Sequence, residues 1–326
     1  MEKLKKIAIL TSGGDAPGMN AAVRAVVRSA ISYGVEAIGV LQGFEGLITG
    51  NFIALESRSV SNIINRGGTI LKTARSEEFK TEEGRKKALK NLKAEGIGAL
   101  VVIGGDGSFT GARIFEQEFD FPCIGIPGTI DNDIYGTDFT IGFDTAVNTV
   151  IEAVDKIRDT ASSHNRFFFI EVMGRDSGYI AMYSGIACGA EKIMIPELEG
   201  EFESLVATLK EGTKRKKTSN IVIVAEGDQE GGAYEIAKKT QKEFPEFDVK
   251  VTVLGHTQRG GSPTCSDRVM ATRMGVKAVE SLMLGRSNIM VGIINNHIVT
   301  TSLKDAIKQH PSLNPELLNV ANIAST

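Results

Sequence analysis

Two glycine-rich clusters follow short apolar segments and contain residue types suited to binding phosphate. Residues 11–20 (TSGGDAPGMN) follow the apolar run 7–10, and residues 104–108 (GGDGS) follow the run 99–103. Paired glycines let the backbone turn tightly, and amide groups at a helix N-terminus face an anion. One such loop is more often a plain strand-to-helix turn, but two after two buried strands favour phosphate binding. Asp106 would repel phosphate unless a cation lay between them, so we expect Mg²⁺ beside it.

A third cluster, residues 127–133 (PGTIDND), follows the apolar run 123–126. Asp131 and Asp133 are two residues apart, so in an extended loop their carboxylates point in different directions. One could then accept a proton while the other lies near a metal. An acidic turn is the ordinary alternative, but a third glycine-containing loop after a buried strand favours the functional interpretation.

The later strands end in groups that suit a phosphorylated sugar. Arg175 follows the run 167–172, Glu226 follows the run 221–225, and residues 255–261 (GHTQRGG) follow the run 249–254. Arg and His donors suit phosphate oxygens, and a carboxylate suits a sugar hydroxyl. His256 considered alone is as consistent with a packed structural histidine.

Other functional classes lack their motifs. The chain contains no Gly-x-x-x-x-Gly-Lys-Ser/Thr, and its first loop is not Gly-x-Gly-x-x-Gly, which disfavours P-loop NTPases and ordinary dinucleotide dehydrogenases. Ser12 and Ser108 have no nearby His/Asp pair, so a hydrolase triad has no support. A net charge of −3 does not favour nucleic-acid binding.

The cysteines and the N-terminal residues bear on the compartment. Cys123, Cys188 and Cys265 form neither a metal motif nor a disulfide framework, so we expect reduced thiols in the cytoplasm. The apolar run 7–10 is too short for a signal sequence or a membrane span.

These clusters need elements that bring strand ends to one edge, and the chain has the pattern of an α/β fold. Apolar runs alternate with amphipathic stretches, which is typical of parallel sheets with helices on both faces. Apolar residues of 146–157 recur at three and four, and 267–284 is similar and ends at Gly285, which predicts two helices. The length of 326 residues suggests about two domains. The predicted strands include the runs 7–10, 37–41, 99–103, 123–126, 167–172, 221–225, 249–254 and 289–294.

The clusters 13–20, 104–108, 127–133, 173–175 and 255–261 resemble, in order and over nearly the whole chain, bacterial ATP-dependent 6-phosphofructokinases. The resemblance implies two parallel-sheet domains. Residues 1–140 plus 257–304 would bind the nucleotide, and residues 141–256 plus 305–326 would bind the sugar phosphate. It also implies transfer of the ATP γ-phosphate to O1 of fructose 6-phosphate in glycolysis, with Mg²⁺, in a cytoplasmic homotetramer.

The resemblance implies roles for individual residues. Those expected to bind ATP are Gly14, Arg75, Ser76, Gly105, Asp106, Gly107 and Ser108, with Asp106 and Asp133 near the metal. Asp131 is expected to be the base, with Thr129 beside it and Arg175 stabilising the transferred group. The other substrate-binding residues are Ile130, Arg166, Met173, Gly174, Glu226, Lys250, His256, Thr257, Gln258 and Arg259. Arg166 and Lys250 would reach in from a neighbouring subunit, and Lys250, where most relatives have Arg, predicts a looser contact.

Two glycines bear on the phosphate donor. Relatives that use pyrophosphate typically have Asp at the Gly107 position and Lys at the Gly128 position, side chains that would fill room needed by a nucleotide. Glycine at both positions favours ATP, and a pyrophosphate-dependent phosphofructokinase is the nearest alternative. A lipid or dinucleotide kinase with a GGDG loop is disfavoured by the sugar-phosphate residues. A catalytically silent nucleotide sensor is disfavoured because the loss of Asp131 or Asp106 would mark such a protein, and both residues are present.

A regulatory site for ADP or phosphoenolpyruvate between subunits is also implied. Arg24 and Arg28 are four apart, on one face of a predicted helix. Ser57 stands where an Arg is usual, so the match is incomplete. The basic stretch 214–217 is also explained by a solvated helix end favourable to the helix dipole. The matching positions are Arg24, Arg28, Arg158, Gly189, Glu191, Arg215 and Lys217.

Overall fold

The computed structural model describes residues 4–161, 166–215, 219–308 and 313–324, which form two compact units. Unit 1 comprises Met1–Thr129, Ile134–Thr145 and Arg259–Pro311, and unit 2 comprises Ile130–Asp133, Ala146–Gln258 and Ser312–Thr326. Four segments are grouped differently from the domains that the resemblance implies. Residues 130–133 and 257–258 lie with unit 2, and residues 141–145 and 305–308 lie with unit 1. Residues 305–308 pack on the helix that begins in the GGDGS loop.

Apolar runs form the strands, and amphipathic runs form the helices. In chain order the strands are β1 (Lys6–Thr11), β2 (Glu36–Val40), β3 (Phe52–Leu55), β4 (Ala99–Gly104), β5 (Cys123–Thr129), β6 (Ile141–Gly142), β7 (Arg166–Val172), β8 (Lys192–Met194), β9 (Ser219–Ala225), β10 (Asp248–Val253), β11 (Ile289–Ile294) and β12 (His297–Ser302). The α-helices are α1 (Met19–Ser32), α2 (Gly43–Thr49), α3 (Glu82–Ala94), α4 (Asp106–Phe119), α5 (Phe143–Ala161), α6 (Tyr179–Cys188), α7 (Glu201–Lys214), α8 (Ala233–Glu243), α9 (Cys265–Met283), α10 (Leu303–Lys308) and α11 (Pro315–Ala324).

The sheet of unit 1 has the strand order β12-β11-β5-β4-β1-β2-β3, and β6 pairs with β5. Its central strands are parallel, as runs that are apolar on both faces predict. Both edge strands are antiparallel, since β3 runs against β2 and β12 runs against β11. The predicted α/β fold class and the eight predicted strands are confirmed, and the edge strands add an antiparallel component that was not predicted.

Helices cover both faces of this sheet. Because successive strand residues face opposite sides, Leu10 and Val102 point to one face, where they pack with Phe109 and Phe115 of α4. Helices α2, α3 and α10 contribute to the same core. The other face is covered by α1 and α9, which pack against each other. Their approach depends on Gly275, where an added Cβ would lie 2.6 Å from the Cβ of Ala25.

Unit 2 contains a parallel sheet in the order β10-β7-β9-β8. Phe167 and Phe169 of β7 and Val222 of β9 form a core with α7 and α8, to which Leu205 and Ile236 contribute. Helix α6 packs on β8 and β9, and α11 packs on α6.

The two helices predicted from apolar spacing are present. The residues of 146–157 lie in α5, whose Val147, Val150 and Val154 are buried. Helix α9 ends just before Gly285, whose φ of 70° is the left-handed conformation expected after a helix C-terminus. No helix in the described ranges is long and apolar enough to cross a membrane.

A buried carboxylate fixes the beginning of α5. Asp267 of α9 is fully buried and accepts hydrogen bonds from the Gly142 N–H (2.8 Å) and from both the N–H (2.9 Å) and the hydroxyl (2.5 Å) of Thr145. Burial raises the pKa of Asp267 to about 6, although these three donors favour the charged form. Asp267 thus links α9 to the start of α5 within unit 1.

Replacing Asp267 with asparagine should destabilise the fold by about 2–4 kcal/mol, because an NH₂ group would face a donor that needs an acceptor. Protonation favours the folded state, so the contribution of this carboxyl is full below pH 3.8 and is lost as the pH rises through about 6. The destabilisation by asparagine should therefore be larger at pH 5 than at pH 7.5, by about 1 kcal/mol. Denaturant titrations at both pH values test this, with Asp120→Asn at an exposed position as control. A pH-independent difference would contradict it.

Candidate active site

Three of the predicted clusters begin side by side at strand ends of unit 1. Strands β5, β4 and β1 are neighbours in the sheet, and each carries the first residues of one cluster at its carboxyl end. Residues 130–133, the rest of the third cluster, belong to unit 2. The Ser12 N–H donates to the carbonyl of Ile103 at 3.0 Å, so the start of the first loop extends the backbone pairing of β1 with β4. A Cβ added to Gly104 would lie 2.6 Å from the carbonyl oxygen of Ser12. The first two glycine-rich loops are therefore in direct contact, as expected for the carboxyl edge of a parallel sheet.

Gly14 in the first loop makes room for an arginine. A Cβ at this position would lie 2.3 Å from Nη1 of Arg259. The same Nη1 donates to the carbonyl of Asp15 at 3.2 Å. Two residues from distant parts of the sequence, Gly14 and Arg259, thus lie together in unit 1.

The second loop opens onto free space at Gly107. A Cβ added there would have no atom within 4 Å, and the residue is exposed. Asp106 begins α4 and is half-buried, whereas Ser108 is buried. A Cβ added to Gly105 would lie 3.7 Å from the Cβ of Thr129 at the end of β5. The predicted nucleotide residues of this loop therefore border Thr129.

The loop that carries Arg75 and Ser76 is also placed in unit 1. Arg75 is exposed, and the Ser76 hydroxyl donates to Oε2 of Glu45 at 2.7 Å. The N–H of Phe79 in turn donates to this hydroxyl at 3.2 Å. Ser76 thus joins the loop to α2 as well as being a predicted ligand of the nucleotide.

Unit 2 pairs the predicted base with the predicted arginine. Asp131 is 2% exposed, and its Oδ2 lies 3.6 Å from Nε of Arg175, whose side chain is 63% exposed. Ser177 donates its hydroxyl to the carbonyl of Asp131 at 2.8 Å. Arg175 has a φ of 54°, which is unusual for a residue with a side chain. A buried carboxylate beside an accessible guanidinium can accept a proton while the cation neutralises an incoming anion.

Glu226 stabilises the strained backbone before the arginine. Its Oε1 accepts from the N–H groups of Gly174 (3.3 Å) and Arg175 (2.9 Å). Gly174 has a φ of 145°, and an added Cβ would lie 2.3 Å from the carbonyl of Ser177. These hydrogen bonds position the turn, and because Glu226 is exposed it can also face a ligand.

The cluster after β10 divides into exposed and buried members. His256 and Thr257 are exposed, whereas Gln258 is fully buried. The Gln258 amide accepts from the Met173 N–H (3.3 Å) and donates to the Gly255 carbonyl (3.1 Å). Its side chain therefore joins the turn after β10 to the segment after β7 and does not face a substrate. The side chain of Ile130 is also fully buried, which leaves only its backbone for a ligand.

Arg166 and Lys250 share the carboxylate of Asp248, which is not one of the predicted site residues. Asp248 Oδ2 lies 3.1 Å from Nε of Arg166, and Asp248 Oδ1 lies 2.8 Å from Nζ of Lys250. The hydrogen bond from Lys250 is the largest of the effects that hold the pKa of Asp248 below its usual value; desolvation opposes it, and the hydrogen bond from Arg166 adds to it. Parallel pairing sets Arg166 opposite Asp248, a proximity that no local motif shows.

The predicted effector residues have mixed environments. Arg28 donates to the carbonyl of Ser57 at 3.3 Å in unit 1. In unit 2, Arg158 donates to the Cys188 carbonyl at the end of α6 (2.5 Å), and Glu191 accepts from the Ile221 N–H (2.8 Å). These two side chains therefore have structural partners within the unit. Arg24 is half-buried on α1, Gly189 follows α6 with a φ of 59°, and Arg215 is exposed after α7. Lys217 lies outside the described residues.

Each unit has one of the two carboxylates expected near the Mg²⁺ that the resemblance implies. The described ranges contain no group of three or more His, Cys, Asp or Glu side chains that could hold a metal ion by themselves. Mg²⁺ is usually bound through one or two carboxylates, with phosphate oxygens and water completing its shell. Asp106 and Asp133 are both half-buried and supply carboxylates of this kind.

Sequence comparisons agree with the motifs. A family model described as Phosphofructokinase matches residues 6–282. The protein named ATP-dependent 6-phosphofructokinase 2 of Bacteroides thetaiotaomicron is 56% identical over 320 residues, which is 98% of both chains. A protein named ATP-dependent 6-phosphofructokinase 1 of Thermus thermophilus is 53% identical over 320 residues, which is 98% of this chain and 99% of the relative.

Structural comparisons show the same architecture. Phosphofructokinase from Saccharomyces cerevisiae is similar with a TM-score of 0.89 and 38% identity over 98% of this chain. This chain covers 48% of the yeast chain, about half its length. A pyrophosphate-dependent phosphofructokinase from Marinobacter aquaeolei has a TM-score of 0.84 at 23% identity, covering 96% of this chain and 86% of its own, a likeness that shows the fold alone. The family model and the relatives, together with the contacting glycine-rich loops, show that the chain belongs to the phosphofructokinase family.

Proposed function

We propose that this protein transfers the γ-phosphate of ATP to O1 of fructose 6-phosphate, giving fructose 1,6-bisphosphate and ADP. The observation that carries the proposal is the buried Asp131 carboxylate 3.6 Å from the accessible Arg175 guanidinium. It supplies a proton acceptor and a phosphate-neutralising cation in one place. Relatives at 56% and 53% identity carry the name ATP-dependent 6-phosphofructokinase, which supports the substrates.

The chemistry needs positioning and charge neutralisation more than covalent help. Asp131 accepts the proton of the sugar hydroxyl as its oxygen forms a bond to the γ-phosphorus. The bond from that phosphorus to the β–γ bridging oxygen breaks, and ADP carries away the electron pair. Arg175 neutralises charge on the transferred group, and Thr129 assists beside the base.

The remaining residues bind and orient the two substrates. Gly14, Arg75, Ser76 and the loop 104–108 would hold the nucleotide. Met173, Glu226, His256 and Arg259 would hold the sugar phosphate, with Arg166 and Lys250 from a neighbouring subunit. Gln258 and Ile130 act through the backbone that they position, because their side chains are fully buried.

Mg²⁺ would be held near Asp106 and Asp133 and, when bound, supplies neutralisation of the nucleotide phosphates. We further propose a homotetramer in the cytoplasm that functions in glycolysis. For regulation by ADP or phosphoenolpyruvate, which we also propose, Arg158 and Glu191 would have to exchange the partners that they have within the unit for the effector.

ATP is favoured over pyrophosphate by the space at Gly107. A Cβ at that position would have no atom within 4 Å, which leaves room where a nucleotide phosphate can lie. Gly128 is enclosed instead, since an added Cβ would lie 3.1 Å from Ile103 and 3.2 Å from Met19. A lysine there would require these side chains to move.

An enzyme-coupled assay with fructose 6-phosphate, Mg²⁺ and either donor tests the proposal. We expect turnover with ATP to exceed turnover with pyrophosphate at saturating donor. Faster turnover with pyrophosphate would overturn the donor assignment, and no turnover with either donor would overturn the proposed function.

Removing the Lys250 side chain should weaken binding of fructose 6-phosphate. A charge-assisted contact of this kind contributes about 1.5–3 kcal/mol, so Lys250→Ala should raise the KM for the sugar phosphate about tenfold or more. Lys250→Arg should leave the KM equal or lower, because a guanidinium can contact phosphate through two N–H groups. Substrate saturation at fixed ATP measures both effects.

The pairing of Lys250 with Asp248 calls for a control. If Lys250 only neutralises Asp248, the double variant Asp248→Asn/Lys250→Ala should recover the wild-type KM. If Lys250 contacts the phosphate itself, the double variant should stay weak, as we expect. An unchanged KM in Lys250→Ala would show that the residue does not touch the substrate.

A further inference from the structure

The segment 65–72 of unit 1, here called the 65–72 loop, precedes Arg75 and Ser76 and is anchored by two buried side chains. Asn20 in the first turn of α1 is 1% exposed, and Thr11 at the end of β1 is fully buried. Both belong to the first glycine-rich cluster, yet neither is assigned a role in the function proposed above. Their polar groups face the backbone of the 65–72 loop.

Asn20 uses both ends of its carboxamide on this loop. Its Nδ2 donates to the carbonyls of Arg66 (3.0 Å) and Gly67 (3.2 Å). Its Oδ1 accepts from the Ile70 N–H at 2.8 Å. An amide group can provide two donors and an acceptor at one point, which a carboxylate or an apolar side chain cannot do. Asn20 therefore fixes a stretch of loop backbone that has no strand or helix of its own.

Thr11 fixes the other end of the loop. Its hydroxyl donates to the carbonyl of Lys72 at 3.0 Å and therefore accepts the proton of the Thr69 hydroxyl, 2.9 Å away. Lys72 has a φ of 60°, so the chain makes a sharp change of direction where Thr11 holds it. Arg75 comes three residues later in the sequence.

The opposite side of the loop packs against the turn that carries Arg259. A Cβ added to Gly67 would lie 2.3 Å from the carbonyl oxygen of Gly261, which comes two residues after Arg259. Ser262 donates its hydroxyl to the carbonyl of Asn65 at 2.8 Å. The 65–72 loop is thus enclosed between the first glycine-rich cluster and this turn, and its position depends on both.

We propose that Asn20 and Thr11 are positioning residues that fix the 65–72 loop and so hold Arg75 and Ser76 in place for the nucleotide. The inference rests on the proposed function, because it takes ATP as the ligand of these two residues. Neither Asn20 nor Thr11 needs to touch the nucleotide. A ligand-binding group whose support is lost samples other positions, and even a small misplacement weakens binding.

The test compares variants that lack one of the two buried polar side chains with matched controls. Asn20→Ala and Thr11→Val remove the anchors, whereas Thr11→Ser keeps the hydroxyl. Asn91→Ala is the control for general destabilisation, because Asn91 likewise donates to two successive carbonyls, those of Leu47 and Ile48, in the same unit. The readouts are the KM for Mg-ATP, kcat, the melting temperature and hydrogen exchange of residues 66–76.

We expect Asn20→Ala and Thr11→Val to raise the KM for Mg-ATP about tenfold or more, with kcat at saturating ATP falling less than about threefold. Exchange of residues 66–76 should accelerate in both. Thr11→Ser and Asn91→Ala should stay within about twofold of the wild-type KM, even where the melting temperature falls. If Asn20→Ala and Thr11→Val keep the wild-type KM at a lowered melting temperature, the residues only stabilise the fold and the proposal is overturned.

Two further outcomes remain decisive. If Asn20→Ala does not fold, the pair Thr11→Val and Thr11→Ser carries the test, because it differs in the hydroxyl contacts. If the wild type transfers no phosphate from ATP, the proposed function fails. Calorimetric binding of a non-hydrolysable ATP analogue with Mg²⁺ to the same variants then tests the positioning separately. Equal affinities, or no binding by the wild type, would overturn it.

Discussion

Replacing Asp131 with asparagine should lower kcat by roughly 10²–10⁴-fold, the usual range for loss of a general base, while the KM values change far less. Asparagine keeps the shape of the side chain but cannot accept the proton of the sugar hydroxyl. The residue is 2% exposed and lies beside Arg175, so water cannot easily take over its role. Steady-state rates with both substrates saturating measure the effect.

Asp176→Asn is the matched control for this substitution. Asp176 is an exposed carboxylate next to Arg175 in the sequence and has no proposed role, so its loss should leave kcat close to that of the wild type. A normal kcat in Asp131→Asn would show that another group accepts the proton. An equal loss in both variants would show that net charge near Arg175 matters, and not the base.

Introducing aspartate at Gly107 should raise the KM for ATP on the order of tenfold to a hundredfold, because a carboxylate would be placed where the nucleotide phosphates are proposed to lie. The folded structure should tolerate the change, since an added Cβ would meet no atom within 4 Å. An acidic residue in the first turn of α4 is also favourable to the helix dipole. Thermal melting and ATP saturation measure stability and affinity separately.

Gly107→Asn separates charge from size. Asparagine has nearly the same shape as aspartate but no charge, so it should raise the KM for ATP less than aspartate does. Equal effects of the two side chains would mean that crowding dominates. A wild-type KM in Gly107→Asp would place the phosphates elsewhere and remove the main structural argument for ATP.

The central strands could be predicted because burial on both faces leaves a local mark. Strand β4, for example, is buried at every residue, and its sequence ALVVIG is almost entirely apolar. Strands β8 and β12 gave no such mark, since β8 has only three residues and β12 is half-exposed with several polar residues. Their existence depends on pairing with β9 and β11, which the sequence order does not reveal.

In the candidate site too, some features follow from local sequence and others depend on residues that are distant in the chain. The glycine-rich loops follow predicted strands, so their approach at one sheet edge follows from the topology of a parallel sheet. The supporting contacts do not, because they join residues far apart in the sequence. Asn20 binds the backbone at 66–70, and Asp248 pairs with Arg166, 82 residues away. Gln258 lies in a recognisable cluster, yet its burial and its contact with Met173 appear only in three dimensions.

Phosphorus NMR of a reaction containing ATP, Mg²⁺ and fructose 6-phosphate tests the central claim most directly, because it reports donor, acceptor and products together. We expect the γ-phosphorus signal of ATP to be lost while ADP and a phosphate ester at C1 of fructose 1,6-bisphosphate appear in equal amounts. Release of free phosphate without a new ester, or consumption of fructose 6-phosphate with pyrophosphate but not with ATP, would contradict it.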